Sequence, residues 1–113
     1  MLIYKIVPAP LWRAAEAAGA FAGAPVDLAD GYIHFSTAAQ ARETARKHFA
    51  GQPDLLIVAF EADDLGAALK WEPSRGGDLF PHLYAPAPTA AARSVDPLPI
   101  GSDGAHHFPE HVR

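Results

Sequence analysis

Gly31-Tyr32-Ile33-His34-Phe35-Ser36-Thr37 orders the rest of the chain around it. Alternation from Tyr32 to Ser36 puts Ile33 and Phe35 on one face of a short strand and Tyr32, His34 and Ser36 on the other. The apolar pair therefore belongs to a core, and the polar, aromatic face suits a cleft wall. Thr37 and Gln40 fit a capping box, so a helix is expected from about Thr37 to Ala50, with Ala38, Ala41, Ala45 and Phe49 as its buried stripe. Gly51 is a suitable C-terminal cap, and Glu43 with Lys47 forms an i,i+4 pair. Asp54 to Glu61 follows, continuously apolar inside its ends, as a central strand covered on both faces.

Upstream, Leu2 to Val7 reads as a first strand whose period is broken by Lys5. Pro10 suits the first turn of a helix, with Leu11, Ala14, Ala15 and Ala18 along one face and Gly19 at its end. Ala20 to Asp30 has no clear periodicity and reads as a long loop. Downstream, Asp63 suits the cap of a single helical turn. Leu69 to Glu72 is a strand with Trp71 on the core face and Lys70 and Glu72 opposite. Pro73 to Asp78 is a turn, and Phe80 to Tyr84 is a strand on which His82 and Tyr84 share a face. Pro86, Pro88, Pro97, Pro99 and Pro109 permit only short or edge strands beyond, with Arg93 to Leu98 the best candidate.

At 113 residues, half of them hydrophobic and 19% charged, the chain suits one globular domain, residues 1–113, and not a disordered segment. Its longest apolar run, Leu55 to Phe60, falls far short of the ~20 residues that span a bilayer. No secretory signal can form before Pro8, and there is no cysteine, so a cytoplasmic location is expected. A net charge of −4 argues against binding to nucleic-acid backbones.

Phosphate-binding, dinucleotide, nucleophile-elbow and zinc-protease motifs are absent. What remains is a set of polar strand faces: His34 and Ser36, then Glu72, then His82 and Tyr84, with Arg75 on a glycine-flanked turn. Each also has a structural reading. The histidines would satisfy buried polar groups, Ser36 would end its strand, Glu72 would be exposed opposite a packed Trp71, and Arg75 would be a solvated turn residue. Gly104 and Pro109 keep a helix from presenting His106, His107 and His111 at fixed spacing, so no metal is expected.

Together with Ile3-Tyr4-Lys5-Ile6, Lys70-Trp71-Glu72-Pro73 and Phe80-Pro81-His82-Leu83-Tyr84, the opening stretch resembles a small bacterial family known as domain of unknown function 952. The resemblance covers nearly the whole chain. It implies an α+β, ADP-ribosyltransferase-like fold, with split antiparallel or mixed sheets and two main helices around a nicotinamide-dinucleotide cleft. Within that superfamily the chain looks most like the catalytic lobe of RNA 2′-phosphotransferases, whose His-x-Ser strand matches His34 and Ser36 and whose helical Arg-His pair matches Arg46 and His48. The likeness implies that His34 holds a ribose hydroxyl and that a later carboxylate, for which Glu72 is the candidate, stabilises an oxocarbenium-like centre. Tyr32, Tyr84 and Trp71 are the candidates for stacking on a ring.

The resulting expectation is a small enzyme or enzyme-like domain, an ADP-ribosyl or NAD-dependent transferase, taking a nucleotide-like ligand with NAD as its cofactor. Glu72 and His34 are its catalytic candidates, and Tyr32, Ser36, Arg46, His48, Arg75, His82 and Tyr84 its ligand-binding ones. Two other classes stay open: a non-catalytic binding module for a nucleotide-like metabolite, and a protein-interaction domain docking through its Pro-rich tail, for which no feature identifies a protein partner.

Overall fold

A computed structural model describes the backbone of all 113 residues and every side chain except that of Arg75. The fold is α+β, and every strand pairing is antiparallel, so the mixed-sheet alternative is set aside. A four-stranded sheet has the order β4-β1-β5-β9, with β1 Leu2–Pro8, β4 Ser36–Thr37, β5 Leu55–Glu61 and β9 Ala92–Pro97. A three-stranded sheet has the order β3-β7-β6, with β3 Ile33–His34, β6 Leu69–Pro73 and β7 Leu79–Leu83. A two-stranded ribbon joins β2 Ala20–Phe21 to β8 Ala87–Pro88.

The stretch Tyr32 to Ser36 is not one strand. His34 pairs with His82 in the smaller sheet, whereas Ser36 pairs with Tyr4 in the larger one, so the chain changes sheets at Phe35. Phe35 itself is buried and stays anchored through its N–H to the Pro81 carbonyl at 3.0 Å. Its ring meets Phe60 edge-on, and Phe60 meets Trp12 in the same way. Burying such rings contributes roughly 1.5 to 3 kcal/mol each, so the crossover point is held by the core.

The larger sheet is covered on both faces, as the apolar run of β5 demands. One face carries Ile3, Val7, Leu56, Val58 and Phe60 against Trp12 and the smaller sheet. The other carries Tyr4, Ile6, Leu55, Ile57 and Ala59 against Ala41 and Ala45 of α3, Ala38–His48. The capping box at Thr37 and Gln40 starts α3 as expected, at 3.0 and 3.3 Å. Its C-cap is Phe49 and not Gly51, and Phe49 is only partly buried at the margin of this second cluster. The tail packs back here too, burying Leu98 and Val112, which weakens the idea of a free docking tail.

Three elements differ from expectation. In α1, Ala9–Ala18, the buried residues are Trp12 and Ala15, while Leu11, Ala14 and Ala18 are exposed. The bulky indole sets the phase of the helix, which alanines cannot do. The supposed loop from Ala20 holds β2 and a third helix, α2, Pro25–Asp30. Pro25 opens α2, the Asp27 carboxylate accepts from the Ala24 N–H at 2.7 Å, and Gly31 closes it at φ 87°. A 3₁₀ segment, Ala62–Ala68, kinked at Gly66, joins β5 to β6. Third, Trp71 shares a strand face with Leu69 and Leu83 but is 39% exposed at the sheet margin, so it does not take a core position. Among the described residues, no helix is long and apolar enough to cross a membrane.

Candidate functional site

The crossover at Phe35 creates the site. β4 pairs only with Ile3 and Tyr4, and a cleft of about 500 Å³ opens farther along the β1 edge, with Lys5 and Ile6 in its wall. The smaller sheet forms the facing wall. Directly opposed residues of antiparallel strands share a face, so His34, His82 and Lys70 stand in one row across β3, β7 and β6. Period two along the strands adds Tyr32, Phe80, Tyr84 and Glu72 to that face.

The rings interlock. Tyr32 stacks on His82 with centroids 4.1 Å apart, and lies 4.6 Å from His34 and 5.2 Å from Tyr84. The two imidazoles are 5.6 Å apart in an edge-on arrangement. Each is held by a carboxylate through Nδ1: His34 by Asp27 at 2.7 Å and His82 by Glu72 at 2.9 Å. His34 also reaches Asp30 through Nε2 at 2.9 Å. When both His34 contacts are N–H donations, its ring is the imidazolium.

Asp27 organises the wall from behind. It is 1% exposed, and its Oδ1 accepts from the Lys5 ammonium at 2.9 Å, the His34 backbone N–H at 3.0 Å and the His34 ring. Burial pushes this carboxyl up, but the His34 hydrogen bond and the charge and hydrogen bond of Lys5 together outweigh burial and bring it down to about 2. Burial pushes the Lys5 ammonium down, against the pull of Asp27. Lys5 also donates to the His34 carbonyl at 3.0 Å, so one buried ion pair fixes both the backbone and the ring of His34.

Glu72 works at the rim. Its Oε1 accepts from the Tyr84 hydroxyl at 2.7 Å as well as from His82. These two donors, Tyr84 first, hold the Glu72 carboxyl below its usual range, and the same contact pushes the Tyr84 phenol up to about 12. Burial, with the charges of Asp30 and Glu72, raises Tyr32 too.

Most of the expected site residues come together, though not all in the cleft. Tyr32, His34, Ser36, His48 and His82 line it. Ser36 is buried, with its Oγ 2.8 Å from the Thr44 hydroxyl. That hydroxyl donates onward to the Gln40 carbonyl at 3.1 Å, so Ser36 is the donor of the pair and keeps its lone pairs for other partners. Tyr84 lines an adjoining depression of about 220 Å³ that also contains Tyr32, and Glu72 lines neither. Arg46 is a correction: its side chain is 70% exposed, pairs with Glu43 at 3.0 Å and faces a separate cleft of about 560 Å³ beside Arg42, His106 and Phe108. Arg46 and His48 are two positions apart, about 200° around a helix, so the two cannot share a face. The interlocked rings of His34, His82 and Tyr32 belong to the first cleft, whereas the second is lined by Asp103, whose carboxylate meets His107 at 3.2 Å. Arg75's side chain lies outside the described residues. Among the described residues no group of histidines and carboxylates is arranged to hold a metal ion.

Lys5, Asp27 and Asp30 are the site residues that sequence reasoning missed. Their signal was Lys5 itself, a charge inside an apolar strand, which demands a buried counter-charge.

Residues 6–95 match the family described as Protein of unknown function (DUF952). No curated protein matches the chain. Among solved structures, it is similar to protein CC0527 from Caulobacter crescentus. The crystal structure of that protein is 48% identical, with 99% of this chain and 98% of that one covered and a TM-score of 0.94. A crystal structure of its double mutant gives 46% identity, the same coverage and a TM-score of 0.94. Its solution NMR structure gives 49% identity over 97% and 95% of the two chains, with a TM-score of 0.86.

Proposed function

The chain belongs to the DUF952 family of proteins of unknown function, and from that premise we propose that it is a small enzyme of ADP-ribosyl-transferring type whose cleft takes an ADP-ribosyl or nicotinamide-dinucleotide ligand. The observation that supports this reading is the wall of two carboxylate-held imidazoles, 5.6 Å apart and bridged by the Tyr32 ring, on a cleft of about 500 Å³. Concave sites of this size, apolar with a few convergent polar groups, are the usual seats of small-molecule binding. The ligand class itself comes from the resemblance of the His34-x-Ser36 strand to that of the transferases.

The residues present fit the ring and sugar portions of such a ligand. Tyr32 lines the cleft with an aromatic ring, and Ser36 offers an acceptor for a hydroxyl. The Lys5 charge is spent on Asp27, and Arg75 is the cation proposed for a pyrophosphate. Bound NAD would supply an activated glycosidic bond to nicotinamide. The chain's own contribution would be His34 as a hydroxyl-binding group and Glu72 as negative charge at the rim. His34 engages Asp30 through Nε2, so sharing that nitrogen with a hydroxyl requires the exposed Asp30 carboxylate to yield.

Thermal unfolding in the presence of NAD, ADP-ribose and AMP tests the reading. A ligand at about 100 times its Kd adds roughly 2.7 kcal/mol, a shift of several degrees for a domain of this size. A shift with NAD or ADP-ribose is expected. The absence of one with all three overturns the ligand class, and a shift without nicotinamide release from NAD makes the protein a binding module.

A further inference from the structure

The two imidazoles of the cleft differ in what they can give. Both ring nitrogens of His34 face carboxylates, Asp27 and Asp30, so neither lone pair is free for chemistry while those contacts stand. His82 faces only one carboxylate, through Nδ1. A carboxylate accepts and does not donate, so the contact at 2.9 Å puts the proton on Nδ1 and leaves the ring's lone pair on Nε2. Tyr84 fixes the same carboxylate oxygen, and Tyr32 clamps the imidazole face. His82 lines the cleft, and Glu72, at the rim, does not.

We propose that His82 is the proton acceptor of the cleft, taking a proton from a hydroxyl bound beside Tyr32, and that Glu72 is its positioning residue. This rests on the functional reading above and assigns to His82 a role that reading left empty. In the step, the hydroxyl O–H bond breaks and its electron pair stays on oxygen. The proton forms a new bond at Nε2, and the resulting imidazolium is held by Glu72. No other reactant is required. The charged and titratable groups facing His82 are Glu72 and Lys70 from β6, His34 from β3, Tyr32 before it, Tyr84 just past β7, and Asp30 of α2 through His34.

The test joins a spectroscopic measurement on the unaltered protein to kinetics. Imidazole ¹⁵N NMR should show His82 as the Nδ1–H tautomer with Nε2 unprotonated, and Glu72→Ala should lose that preference. Nicotinamide release from NAD should rise with pH, as a reaction that needs an unprotonated base does. It should fall about 100-fold or more in His82→Gln, as loss of a general base does, while the melting shift with ADP-ribose persists. Glu72→Ala should move the pH profile as well as lower the rate. A Nε2–H tautomer in the parent, or release in a folded His82→Gln that equals the parent's, overturns the assignment. A melting shift with no release in the parent overturns the base and spares the ligand reading; no shift with NAD, ADP-ribose or AMP overturns the ligand reading itself.

Discussion

Asp27 and Glu72 each hold a histidine by Nδ1, at 2.7 and 2.9 Å, yet they sit in opposite surroundings. Asp27 is sealed behind the wall with Lys5 as its counter-charge, and both its oxygens accept hydrogen bonds, Oδ1 from Lys5 and His34 and Oδ2 from the Ala24 N–H. Glu72 stands at the rim, about a third exposed, with two donors on one oxygen. The first pair ties β1, α2 and β3 together and has no freedom to respond to a ligand. The second joins β6 to β7 and the residue after it, and it can change protonation and contacts at little cost to the fold. The same carboxylate–imidazole motif thus serves as a structural joint in one place and as an adjustable group in the other.

The largest effect that could break this contrast is expected from Asp27→Ala. The substitution leaves a buried ammonium without its partner and two backbone N–H groups without acceptors, so it should cost about 3 to 5 kcal/mol. Adding Lys5→Met should recover part of the loss, because an apolar side chain of similar length needs no counter-charge. Urea unfolding of the three proteins measures both. A midpoint for Asp27→Ala equal to the parent's would mean that Lys5 reaches water and that the two pairs are alike.

Acid sharpens the same contrast. The Asp27 carboxyl falls from an ordinary 3.8 to about 2 on folding, so it stabilises the native state fully above about pH 4. That contribution, about 2 kcal/mol, is lost as the pH falls through the folded value near 2. Unfolding followed between pH 5 and 2 should show this loss in the parent and its absence in Asp27→Asn, once other carboxylates are taken from the difference.

The smallest stability effect belongs to Glu72→Gln. Size and most hydrogen bonding survive and the site is open to solvent, so its melting temperature should stay close to the parent's, far above that of Asp27→Ala. Ligand-induced shifts should persist while turnover falls, because only interactions stronger in the transition state raise the chemical rate. Turnover equal to the parent's would remove Glu72 from the chemistry.

What could be read from the chain follows the range of each signal. Period two placed Tyr32, His34, His82 and Tyr84 on polar faces, and the Thr37–Gln40 box started α3 at the right residue. Strand faces and caps are local, so they survive without knowledge of the fold. α2 was missed because six residues hold fewer than two turns, too few for a 3.6-residue pattern to declare itself. Asp27 was missed with it, and its partners Lys5 and His34, 22 and 7 residues away, become neighbours only through sheet topology. Trp71 was misjudged because its strand pairs on one side only and ends at the sheet margin, where sharing a face with Leu83 does not bring burial. Arg46 was drawn in by likeness, against the helical angle that separates it from His48.

The change of sheets at Phe35 has a consequence for how such chains can vary over generations. Ile33 and His34 are registered to β7, and Ser36 and Thr37 to β1, with a single residue between the two frames. An insertion or deletion anywhere in these five positions would turn His34 or Ser36 to the opposite face of its sheet, since one residue of slip inverts every side chain. Length in this segment is therefore under stricter control than identity, and descendants of this chain should exchange residues here without gaining or losing any.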